Sequence, residues 1–237
     1  GPIAVAERIG NFCALQEVRG DSRKLNLGFS AGRFQFMAAP YGIVPRNEVE
    51  TAAWSALRGQ IFWEACEIML RLIRGDTISS DDIRETTLTR ANFRTDEDWQ
   101  AVQAVKGENS ERIHIPRRYE FEEIKSIPQE WKRTGVNMVI GSHDPALQEH
   151  VNTFMPVQVF NLSITQPEVI EATHERMKSA YQGHWERRMM PRTVMVFLNE
   201  EEGLSDSEKT AAAQKESEGA LSSYWAALEG TLDPAKV

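Results

Sequence analysis

Cysteine is nearly absent from this chain of 237 residues: Cys13 and Cys66 are the only two. They lie too far apart for a disulfide framework and offer no close-spaced thiolate pair for zinc, so they read as thiols of a reducing compartment. Long apolar runs are missing too. The most hydrophobic stretch, QIFWEACEIMLRLI, carries Glu64, Glu67 and Arg71, whereas a bilayer span needs roughly 18 or more residues with few or no charges. No membrane partner is expected. The start, GPIAVAERIG, has neither a basic segment leading into an apolar one nor an initiator Met, as expected of a processed product or an expressed fragment. The phosphate loop G-x-x-x-x-G-K-[ST] and the dinucleotide pattern G-x-G-x-x-G are absent, as are RNP, KH and zinc-finger patterns. Asn161-Leu162-Ser163 fits a glycosylation acceptor but carries no weight without a secretory signal.

The remaining composition is that of an ordinary globular protein, 41% hydrophobic with a net charge of −8. That charge is unevenly placed. Residues 199–237 hold nine acids against three bases, which leaves the rest of the chain at only −2. Of the 27 basic residues 19 are Arg, the side chain better suited to bidentate phosphate contacts and to protein interfaces.

Periodicity predicts an α-rich α+β fold, with a mainly helical region over 1–107, an α+β region over 108–198, and an acidic linker plus amphipathic docking segment over 199–237. Apolar residues at Val5, Ile9, Phe12 and Leu15 predict a first helix to about Gly20. LNLGFSAGRFQFM reads as a hairpin or extended arm. Asn47 and Glu50 resemble a capping box, opening a long helix that ends at Gly75. Its polar residues Gln60, Glu64, Glu67, Arg71 and Arg74 form one stripe on an otherwise apolar cylinder, which requires cover on most sides. Two shorter helices are expected in ISSDDIRETTL and TDEDWQAVQAVKG, the latter capped by Thr95 with Asp98. RIHIP, VNMVI, VQVFNLSI and TVMVFL are β-like runs, and Thr165 with Glu168 predicts a capped helix from Pro167 to about Tyr181. Leu221, Tyr224, Trp225, Leu228 and Leu232 give the last segment an apolar stripe.

Candidate chemistry centres on five histidines. In GSHDPALQEHVN, Asp144 fits an N-cap with Pro145 at the first helical position. On a helix rising 1.5 Å per residue, His143 and His150 then stand about 10 Å apart, too far to share one metal. His174-Glu175 begins like the zinc-protease helix, but Lys178 occupies the position of the second His. No metal or cofactor is expected. Arg beside aromatic residues in IPRRYEF, AYQGHWERRMMPR and GFSAGRF suits either subunit interfaces or single-stranded nucleic acid, where guanidiniums hold phosphates and rings stack on bases. The residues singled out for nucleic acid are Arg117, Arg118, Tyr119, Trp185, Arg187 and Arg188, and for an interface Trp63, Leu221, Tyr224, Trp225 and Leu228.

The expectation is therefore a non-enzymatic structural protein that self-associates, such as a viral coat protein or nucleoprotein, in the cytoplasm or the virion. Its partners would be copies of itself and single-stranded RNA. Two alternatives stand beside it. One is a soluble hydrolase without a short motif that uses His143, Asp144, His174 and His184; the other is an adaptor that docks a partner through its C-terminal segment.

Overall fold

The computed structural model describes residues 1–32, 39–107, 110–163 and 165–227, with the side chains of residues 221 and 224–227 outside the description. The chain is α-rich α+β. Leu228 and Leu232 lie outside the described residues, as does the second half of the expected N-terminal hairpin. Among the described residues no helix is long and apolar enough to cross a membrane.

Helix α1 spans Pro2–Val18, opened by Pro at a position that needs no N–H. Its buried face departs from the expected one. Ala6, Ile9, Gly10 and Cys13 turn inward, whereas Phe12 and Leu15 stay 48% and 59% exposed. Small residues win this face because they allow close approach: a Cβ on Gly10 would stand 3.2 Å from the Trp131 indole.

The long helix expected from Asn47 is broken at Ala53. Asn47 accepts a bond from the Glu50 N–H to cap a short α2, Glu48–Ala52, and α3 then runs over Trp54–Arg74. Gly75 ends α3 in the left-handed region at φ 105°, where its N–H groups with Asp76 close back on Arg71 and Leu72. The first part of α3, with Leu57 and Ile61, enters a smaller core with Leu88, Phe93, Trp99, Val102, Ile113 and Ile115. Its second part, from Cys66 to Ile73, enters the larger one.

The larger core lies against a parallel sheet ordered β1 (Leu25–Phe29), β4 (Val136–Ile140), β5 (Val157–Val159). β4 is the buried middle strand, and Leu25, Leu27 and Phe29 of β1 pack against the same core. Helix α5, Pro145–Val151, crosses from β4 to β5. Asp144 caps it as expected, accepting from Ala146 and Leu147 N–H groups. A second, antiparallel pair joins β2 (Thr86–Leu88) to β3 (Ile113–Ile115). Both β1–β4 and β2–β3 pairings span residue 107.

Three further expectations are corrected. ISSDDIRETTL makes one 3-10 turn over Ser80–Asp82 and then β2, because the Ser79–Asp82 box closes a single turn before the β-branched pair Thr86 and Thr87. Helix α4, Asp96–Lys106, does form on its Thr95 cap and Gly107 stop. Helix α6, Pro167–Ala180, forms too, but its N-cap is Gln166 and no side chain bonds there. The Thr165 hydroxyl is buried without a hydrogen-bond partner. TVMVFL belongs to no strand: beyond the single bond from Thr193 N–H to Asn161 O, no described strand pairs with it.

Candidate interaction surface

Arg117 and Arg118 follow β3 and meet the α2–α3 corner. The Arg118 guanidinium is 10% exposed and donates to Val44 O at 2.9 Å and to Glu50 Oε2 at 3.1 Å. Glu50 is itself 1% exposed, and Arg46 reaches it from the other side, Nε to Oε1 at 2.7 Å. Burial pushes the Glu50 carboxyl up, but Arg46 and Arg118 outweigh it and hold the group below the ordinary glutamate range. Further along, on α3, Glu64 accepts the backbone N–H groups of Arg118 and Tyr119, both at 2.9 Å. Here burial dominates and the carboxyl is raised. Arg117 donates to Ile83 O and pairs with Asp81 and Glu85. Glu120 and Glu122 line the same open groove, so the local field is acidic. These Arg residues thus bind the small core to β3. The sequence pointed to them, but it missed Glu50 and Arg46 as their partners; Glu50 was legible only as a capping residue.

The opening histidine cluster is brought together with Trp63 rather than with a metal. The Trp63 ring stacks on His150 at 4.9 Å between centroids, 29° from parallel. Its indole N–H donates to Asp144 Oδ2 at 3.1 Å, and the Arg84 guanidinium lies over the ring at 4.6 Å from its centroid. His150 Nε2 stands 3.6 Å from Glu67 Oε2, an ion-pair distance beyond a hydrogen bond. Burial pushes the Glu67 carboxyl up; His150, the Arg84 backbone N–H and Arg71 outweigh it and leave the group lowered. His143 is exposed. Among the described residues no group of three or more His, Cys, Asp or Glu could hold a metal ion.

The third cluster closes the end of α6. Trp185 is buried and donates its indole N–H to His174 Nδ1 at 2.9 Å, while Tyr181 tilts against it at 5.1 Å. His184 is exposed. Arg187 and Arg188 point outward, 58% and 78% exposed, and pair with Glu171 and Glu186. They are the open part of the expected Arg and aromatic set.

Beyond Met190 the chain changes character. Asn161 N–H donates to Pro191 O at 2.8 Å and Thr193 N–H to Asn161 O at 3.1 Å, so Arg192 makes a single parallel bridge at the end of β5. The next residues leave the sheet. Val194, Val196 and Leu198 are each more than 70% exposed, and Phe197 and Leu198 line an open groove with α7, Asp206–Ala227. From residue 191 to 220 no described residue is buried. Leu221, Tyr224 and Trp225 fall on the last turns of α7, where side chains are not described. A second apolar surface is left on α1, where Val18 is 85% exposed beside Phe12 and Leu15. In comparisons with protein-family models, with curated proteins and with solved structures, the chain matches none.

Proposed function

We propose that this chain is a non-enzymatic structural protein that associates with copies of itself into an oligomer or a larger assembly of the coat-protein or nucleoprotein kind. The observation that supports it is the C-terminal arm: an apolar run followed by a 22-residue helix, in which no residue described over 191–220 is buried. Val194, Val196 and Leu198 would each gain roughly 1.5–3 kcal/mol on full burial, before the cost of ordering is subtracted. Exposed Phe12, Leu15 and Val18 on α1 add a second surface of the same chemistry. Single-stranded RNA is the further partner of this proposal, held at its phosphates by Arg187 and Arg188, with the acidic arm turned away from it. Light scattering over a range of concentrations tests the association. A mass of several chains that grows with concentration is expected, and a mass of one chain throughout overturns it.

A further inference from the structure

Among the described residues the sheet ends at β1 on one side and at β5 on the other, and the β-like run TVMVFL joins no strand. Among the described residues β1 pairs only with β4, and no other described strand meets its outer side. Such an edge is a template for another strand. The run Thr193–Leu198 carries the β-branched residues Thr193, Val194 and Val196 with Phe197, and is about the length of β1. Its side chains already sort into two rows. Val194, Val196 and Leu198, two apart, are 72%, 71% and 72% exposed, while Met195 is 40% exposed and Phe197 sits toward α7.

We propose that residues 193–198 of one copy add to the β1 edge of a second copy as an antiparallel strand, with Val196 opposite Leu27. This rests on the self-association reading and gives it a surface and a register. Residues directly opposite in an antiparallel pair share a face of the sheet. In this register Leu198, Val196 and Val194 fall beside Leu25, Leu27 and Phe29, so the most exposed apolar row of the arm extends the row of β1 that packs on the core. On the other face Met195 falls beside Gly28, where a Cβ would meet nothing within 4 Å, so there is room for a long side chain.

The run is followed by Glu200, Glu201 and Glu202, and β1 is preceded by exposed Arg19, Arg23 and Lys24. Antiparallel addition sets Asn199 opposite Lys24, Glu200 opposite Arg23, which Asp21 already holds on one side, and Glu202 opposite Asp21. Parallel addition would set Asn199 opposite Ser30 and Glu200 opposite Ala31, with Arg33 two positions further along the sequence.

The occupant is a second copy because the arm and the open edge lie on opposite sides of the sheet. The chain departs at Arg192, beside the end of β5, and β1 is the far strand. The two surfaces differ, so the contact is heterologous: repeated from copy to copy it makes a ring or a filament.

Cysteine pairs placed on separate, differently tagged full-length chains test the register. Gly28→Cys and Met195→Cys face each other in it, and the native Cys13 and Cys66 are buried at 4% and 1% exposure. Mild oxidation of the mixture should give a disulfide between the two tagged chains. Asn199→Cys should cross-link to Lys24→Cys and not to Ser30→Cys. Cross-linking to Ser30→Cys instead overturns the antiparallel direction. If both cysteines in one chain link within that chain at high dilution, the occupant is the chain's own arm and the second copy is refuted. Oligomers by mass without either disulfide refute this docking while self-association stands. A single-chain mass at every concentration refutes the reading beneath it and the docking with it.

Discussion

Trp63 and Asp144 are 81 positions apart in sequence and joined by one hydrogen bond, indole Nε1 to Oδ2 at 3.1 Å. Asp144 thereby serves two elements at once: one oxygen caps α5 and the other fixes a ring of α3. The interface role foreseen for Trp63 and the cap foreseen for Asp144 meet in one contact inside the subunit.

Trp63→Ala should therefore lower stability by about 2–4 kcal/mol, less than the full loss for a wholly buried Trp because the ring is half-buried. Asp144→Ala should cost about 1 kcal/mol for the cap alone. Urea unfolding of both single variants and the double should show a coupling of roughly 0.5–1.5 kcal/mol. Additive losses would mean that the bond contributes nothing.

The buried carboxylates predict a pH dependence of mixed sign. Glu50 and Glu67 are held below the ordinary 4.5 in the fold. Their stabilisation is fully present above that value and lost as pH falls through the depressed one. Glu64 is raised from 4.5. Its contribution is full below the ordinary value and lost as pH rises through the raised one. Denaturant midpoints should fall on acidification from about pH 5 to pH 3. Glu50→Gln should flatten that fall and Glu64→Gln should steepen it. Parallel curves for all three proteins would contradict the assignment.

Arg residues of the two clusters should separate by assay. Arg118 is paired with buried Glu50, so Arg118→Ala should cost about 3 kcal/mol in unfolding. Arg187→Ala and Arg188→Ala lose exposed pairs and should leave stability within about 0.5 kcal/mol. If Arg187 and Arg188 hold phosphates, each replacement should reduce the salt slope of single-stranded RNA binding by up to about 0.7. No binding at low salt by the assembled protein removes RNA from the account.

Local signals were legible wherever the chain answers to itself. Thr95 and Gly107 bound α4, Asp144 and Pro145 open α5, and VNMVI makes the middle strand, all from residues within a few positions. What escaped is decided at long range. The buried face of α1 follows from Trp131 approaching Gly10, a contact no periodicity encodes. Arg46, Glu50 and Arg118 form a cluster only because β3 returns to the α2–α3 corner. TVMVFL has the composition of a strand, but strand formation requires a partner, and no described strand pairs with it.

The central claim is that residues beyond Arg192 hold copies together without holding the body together. Its most direct test is the mass, by light scattering at matched concentrations, of the full chain and of a chain ending at Arg192. The full chain should form an oligomer. The shortened one should fall toward a single-chain mass while keeping the near-ultraviolet signal of its buried tryptophans, Trp54, Trp99, Trp131 and Trp185. Equal masses for the two chains, both folded, would contradict the account.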